Sequence, residues 1–147
     1  MTRRQIVNFA NGLLDVPYLW AGDSPARGFD CSGLILWIFQ NLEILPRGDI
    51  TAQGLYDKLQ QQGMIQPLLP GIEWNPKPGD LLFYGHEHIP HIAIFIDDDK
   101  AISANGGGPN IKTREDAKRA NAKVKIHSPV YRRDLVACGS IDKWVHS

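Results

Sequence analysis

The sequence predicts an α+β domain in which helices pack on one antiparallel sheet. Three observations carry that expectation. Apolar residues between Thr2 and Gln62 recur at helical spacing. After Asp80 the pattern changes to short runs rich in aromatic and β-branched residues, bounded by turn chemistry. The helical stretches come first and the strand-like ones second, which suits segregated layers.

Each element follows from local chemistry. Thr2 to Leu14 is expected to be a helix, with Thr2 as N-cap and Ile6, Phe9, Leu13 and Leu14 on one apolar stripe. Pro17 to Asp30 is a loop rich in Gly, Pro, Ser and Asp. Cys31 to Leu42 is a second helix. Leu34, Ile35, Leu36, Trp37, Ile38 and Phe39 make it apolar on nearly all sides, so it is expected to be central and buried. Pro46-Arg47-Gly48-Asp49 breaks the chain, and Thr51 to Gln62 is a third helix ended by Gly63. The proline-rich stretch from Gln66 to Gly79 leads into strands at Asp80–Tyr84 and His91–Ile96. A turn follows at Asp97–Lys100, with strands at Ala101–Asn105, Val124–His127 and Leu135–Ile141. A short surface helix is expected at Thr113–Ala122.

Composition narrows the function. A chain of 147 residues and 16.4 kDa fits one domain, residues 1–147, and can bury a core without disulfide or metal staples. Sixteen Lys and Arg balance sixteen Asp and Glu. That balance argues against a nucleic-acid coat or a polybasic membrane binder. Two cysteines, Cys31 and Cys138, exclude a disulfide-dense scaffold and a four-cysteine zinc site. The N-terminus carries Arg3 and Arg4 but no unbroken apolar run, because Asn8, Asn11 and Gly12 interrupt it. The expectation is synthesis in the cytoplasm without a signal peptide, with no membrane span and no separate second module.

The strongest chemical signal is Gly28-Phe29-Asp30-Cys31-Ser32-Gly33, a turn feeding into a helix. A thiol at a helix N-terminus meets free N–H groups and the positive end of the dipole. These favour thiolate and can later hold an oxyanion. The alternative is a buried structural cysteine. Of the five histidines, His91 opens an apolar strand, with Ala93 and Phe95 on its own face and Ile92, Ile94 and Ile96 on the other. A cysteine at a helix start followed by a histidine at a strand start is the layout of papain-like sites.

At these residues the chain resembles the NlpC-type cysteine peptidases, papain-like endopeptidases of bacterial cell-wall peptides. The matching residues are Pro17-Tyr18-Leu19-Trp20-Ala21-Gly22, Gly28 to Leu34, Leu45-Pro46-Arg47 with Gln53, Lys77 to Phe83, His91 to Phe95 and Ile102-Ser103-Ala104. The resemblance implies an NlpC-type fold, with Cys31 as nucleophile and His91 as general base. It implies that Tyr18 shapes the oxyanion region and that Asp30 and Ser32 contact substrate. Trp20 and Arg47 are taken first as structural or rim residues. It also implies amide hydrolysis of peptidoglycan stem peptides between γ-D-Glu and the diamino acid, without cofactor or metal. Two positions depart from the family. Its third catalytic residue, most often His, falls at Ser103, with Asn105 as the alternative on the same side of the strand. Its Trp-Gly-Gly is Trp20-Ala21-Gly22 here, tolerable unless position 21 needs positive φ.

Three weaker constellations remain. His86, Glu87, His88 and His91 suggest zinc by residue type, but the spacing lies in a loop and favours a solvated rim. Gly106-Gly107-Gly108 is expected to be a flexible loop at the cleft. Residues 112–133 hold eight Lys and Arg against Glu115 and Asp116, either a solvated face or a docking face for an anionic wall polymer or virion partner. Rival functions are a papain-like N-acyl amidase or acyltransferase, and a catalytically weak structural or wall-binding protein of a phage tail. A phage-derived or otherwise delivered enzyme suits a bare catalytic domain. Cys138, in a small apolar strand, is expected to be an inert thiol unpaired with Cys31.

Overall fold

A computed structural model describes residues 1–145, so His146 lies outside the described residues. Helix α1 (Arg3–Asn11) begins at Thr2, whose hydroxyl accepts from the Gln5 N–H while the Gln5 side chain accepts from the Thr2 N–H. This reciprocal cap satisfies orphan donors of the first turn. The helix ends at Gly12, before Leu13 and Leu14, which continue its packing from a turn. The predicted loop before Cys31 carries a two-strand ribbon, β1 (Asp23–Ser24) and β2 (Gly28–Phe29). Helix α2 (Cys31–Asn41) is capped by Asp30 and buries Leu34, Ile35, Ile38 and Phe39 completely. Helix α3 (Ala52–Gln61) is capped by the Thr51 hydroxyl, which accepts from the Gly54 N–H at 3.0 Å.

The strands are β3 (Ile65–Pro67), β4 (Leu81–Tyr84), β5 (His91–Asp97), β6 (Lys100–Asn105), β7 (Lys123–His127) and β8 (Leu135–Gly139), with helix α4 (Arg114–Ala120) between β6 and β7. They form one antiparallel sheet in the order β3-β8-β4-β5-β6-β7. The β5–β6 turn places Asp98 and Asp99 at φ of 39° and 63°, a region that Asp tolerates better than most residues. Strand β3 overlaps the stretch that its prolines mark as a loop. Its pairing partner, β8, is far away in sequence, so no local pattern reveals it.

The alternation expected along β5 is observed. Ile92, Ile94 and Ile96 join the main core with α2, while Ala93 and Phe95 join a second cluster with Leu82, Tyr84 and Cys138, covered by Trp74. The two cysteines are separate free thiols. Burial pushes the Cys138 thiol up to about 12, keeping it protonated and inert. No helix among the described residues is long and apolar enough to cross a membrane.

Candidate functional site

Two glycines allow the approach that places Cys31. A Cβ on Gly33 would stand 2.0 Å from the Gly22 carbonyl oxygen, and one on Gly22 would stand 2.4 Å from that of Gly28. The first turn of α2 therefore lies directly against the β1–β2 ribbon, and only hydrogen atoms fit between. The Asp30 carboxylate accepts from the Gly33 N–H at 2.7 Å and from the Ser32 hydroxyl at 3.4 Å. Burial raises its pKa against these bonds and that of the Ala21 N–H. Ala21 sits at φ 59°, so this chain does hold an alanine in the left-handed region where the family has glycine.

Cys31 lies against the backbone on both sides of His91. Its thiol donates to the Pro90 carbonyl oxygen at 3.5 Å, and the Ile92 N–H faces the sulfur. The turn before His91 is pinned from α3, where Gln53 Oε1 accepts from the Ile89 N–H at 2.7 Å. The expected thiolate is not the resting state. Burial first, then the neighbouring Asp30 charge, push the thiol up to about 11. The N–H groups of Ile92, Ser32 and Cys31 act in the opposite direction without prevailing. Burial is the larger cause, and Asp30, in capping the helix, adds a negative charge beside the sulfur.

His91 is buried, and burial, then Arg132 and His127, lower its pKa to about 3. Thiol and imidazole are thus both neutral at rest. His91 Nε2 pairs with the Tyr131 hydroxyl at 2.8 Å. Ser103, fully buried, pairs with His127 Nε2 at 2.6 Å, and the Asn105 amide donates to the Ser103 hydroxyl at 3.2 Å. The hydroxyl that His91 meets therefore belongs to Tyr131, on the loop between β7 and β8. Neither Tyr131 nor His127 is marked as a site residue by any pattern in the sequence. They lie 40 and 36 residues beyond His91 in the chain, and no spacing rule connects them.

Tyr18 is buried beside this group. Burial, followed by the charges of Cys31 and Asp30, raises its phenol pKa, so it stays a neutral donor. A Cβ on Gly107 would stand 2.3 Å from the Tyr18 ring, so the glycine loop is shaped to lie on that ring. Asp23, Asp30, Ser32, Asp49 and Thr51 border a cleft of about 250 Å³ beside the helix start. Trp20 and Arg47 are exposed. His86, Glu87 and His88 are exposed on the turn before Ile89, whereas His91 is buried. Among the described residues no three His, Cys, Asp or Glu side chains converge as a metal group. The basic stretch is partly neutralised: Lys123 pairs with Asp15 at 2.8 Å, Arg119 with Asp116 at 3.1 Å and Arg132 with Asp134 at 2.8 Å.

Known proteins resemble this chain in sequence and in fold. Residues 15–128 match the model of the NlpC/P60 family. The bifunctional muramidase/DL-endopeptidase CwlT of Bacillus subtilis is 35% identical over 97 residues, covering 63% of this chain and 26% of that protein. The γ-DL-glutamyl hydrolase of the same organism is 30% identical over 106 residues, 68% of this chain and 22% of its own length. The murein DD-endopeptidase MepH of Escherichia coli is 30% identical over 99 residues, 65% of this chain and 34% of its own length. The chain thus spans about a third or less of these relatives. Among solved structures, the NlpC/P60 domain of the peptidoglycan hydrolase SagA superposes with a TM-score of 0.64 at 23% identity, covering 95% of this chain and all of that one. RipD of Mycobacterium tuberculosis, a non-catalytic NlpC/P60 domain protein, superposes with 0.63 at 17% identity, covering 95% and 96% of the two chains. With the helix-start cysteine, the histidine-led strand and the sheet order all in place, the chain belongs to the NlpC/P60 family.

Proposed function

We propose that this chain is a cysteine-dependent endopeptidase of peptidoglycan stem peptides, acting on the γ-D-Glu–diamino acid amide through an acyl-enzyme. The observation that carries the reading is the seating of the Cys31 thiol against Pro90 and Ile92, with the buried His91 between them. A helix-start thiol seated against the backbone that flanks a buried histidine suits nucleophilic acyl transfer. The relatives named for DL-endopeptidase and γ-DL-glutamyl hydrolase activity support the bond chosen.

Because the pair is neutral at rest, the thiol proton passes to His91 as the sulfur attacks the amide carbonyl. The carbonyl oxygen takes the negative charge and meets backbone N–H groups at the start of α2, with the Tyr18 phenol as a further donor. Collapse of the tetrahedral intermediate breaks the C–N bond, and His91 gives its proton to the leaving amine. His91 then takes a proton from water as the resulting hydroxide attacks the thioester; the C–S bond breaks, the acid leaves, and His91 returns the proton to the sulfur. The carboxylates of Asp23, Asp30 and Asp49 around the neighbouring cleft favour a substrate amine over a carboxylate there.

Digestion of defined muropeptides followed by mass spectrometry tests the reading. The expected products carry γ-D-Glu at a new C-terminus and the diamino acid at a new N-terminus. Cys31→Ala is expected to lower kcat by at least about a thousandfold. Turnover that persists in Cys31→Ala would sink the proposal.

A further inference from the structure

The His91 ring is held by a chain of side chains whose proton order can be worked out from its far end. His127 Nδ1 lies 2.9 Å from the Ser128 carbonyl oxygen. A carbonyl has no proton to give, so Nδ1 carries one and donates. Burial lowers the pKa of His127, so the ring is neutral and its Nε2 accepts. Ser103, 2.6 Å away, must therefore donate its single hydroxyl proton to that nitrogen. The Ser103 oxygen then accepts from the Asn105 amide at 3.2 Å and has one lone pair left, with the Tyr131 phenol, which also borders Arg132, as its neighbour. The Tyr131 oxygen lies 2.8 Å from His91 Nε2, and a phenol proton turned to Ser103 leaves that oxygen to accept the Nε2–H.

Ring packing supports the chain, although Tyr131 itself is 40% exposed. The His127 and Tyr131 rings lie with centroids 4.0 Å apart. Tyr131 also packs edge-on against Tyr84, whose hydroxyl donates to the Pro129 carbonyl at 2.7 Å and so anchors the same loop. A fully buried serine in a sheet costs desolvation energy unless paired, and here its partners are side chains that lead to His91.

We propose that Tyr131, Ser103 and His127 form a hydrogen-bond relay, ended by the Ser128 carbonyl, that holds His91 in its Nε2–H tautomer and leaves Nδ1 as the unprotonated nitrogen for the thiol. Tyr131 and His127 are then positioning residues for the base, supplied by β7 and the loop after it. This rests on the reading of His91 as the base for Cys31. The neutral tautomer matters because a ring protonated on Nδ1 cannot accept the thiol proton there.

The tautomer can be read without substrate, by ¹⁵N NMR of the histidine rings in the full chain at neutral pH. The expected spectrum has His91 Nε2 protonated and Nδ1 bare. Tyr131→Phe, which keeps the aromatic packing, and His127→Leu are each expected to give a tautomer mixture. They should also lower kcat on muropeptides by about 10- to 100-fold with KM unchanged. His127→Gln, whose side-chain oxygen can accept from Ser103, is expected to restore the tautomer and most of kcat. A wild-type His91 protonated on Nδ1 would overturn the relay, as would unchanged tautomer and kcat in folded Tyr131→Phe. Retained turnover in Cys31→Ala would instead remove the thiol mechanism, and the NMR result would still decide the relay.

Discussion

Cys31 shows how burial and a charged neighbour together change the outcome of a local rule. A cysteine that begins a helix is ordinarily drawn toward thiolate. Here the helix is capped by Asp30, and the same carboxylate that stabilises the helix start opposes charge on the adjacent sulfur. Asn caps almost as well as Asp but carries no charge. Asp30→Asn is therefore expected to keep the fold and lower the thiol pKa. Iodoacetamide should alkylate Cys31 faster at pH 8 in this variant, with the rate profile moved to lower pH. An unmoved profile would show that burial alone sets the thiol. The glycine-like backbone of Ala21 is a second case: position 21 needs positive φ, and this chain meets the need with the smallest side chain, at a cost of about 1 kcal/mol.

Among the elements, those with strong periodicity or clear caps are legible in the sequence alone. The run Leu34 to Phe39 identifies α2 as buried, and Thr2, Thr51 and Thr113 all cap helices. The contacts that join elements are not legible there. Arg3, on the first turn of α1, donates to buried Asp80 at 2.8 Å and also pairs with Asp142. Asp80 further accepts from the Lys77 N–H at 2.8 Å and the Ile141 N–H at 3.1 Å. One carboxylate thus ties α1, the start of β4 and the chain after β8. Asp80→Ala leaves those donors and the Arg3 charge without it, and is expected to destabilise the fold by about 3 kcal/mol. Urea unfolding measures this, and a loss below about 1 kcal/mol would show that water replaces the carboxylate.

For the whole molecule, the buried histidines predict how stability follows pH. An unfolded His91 binds its proton near pH 6.5, but the folded one only near pH 3. Between these values the unfolded chain holds more protons, so stability falls as pH is lowered, by up to about 1.4 kcal/mol per pH unit for one such group. His127, also lowered, acts in the same direction. The depressed carboxylates Asp134 and Asp142 contribute only below about pH 4. Urea midpoints are expected to drop between about pH 6.5 and about pH 4 in the wild type, with a shallower slope in His91→Gln. Equal slopes would mean that His91 already takes up its proton in the folded state.

The fold class, the order of helices before strands, the two-faced character of β5 and the placing of Cys31 at a helix start and His91 at a strand start all follow from the linear chain. Periodicity, caps and short motifs carry them, and each of these acts over a few residues. Folding in three dimensions was needed to establish the rest. It pairs β8 with both β3 and β4, buries the thiol beside Asp30 so that it stays protonated, and brings Tyr131 to His91 while Ser103 turns to His127. These arrangements depend on groups brought together from distant parts of the chain. Burial, charge and hydrogen-bond polarity act through space, and a linear pattern does not record which side chains will share it.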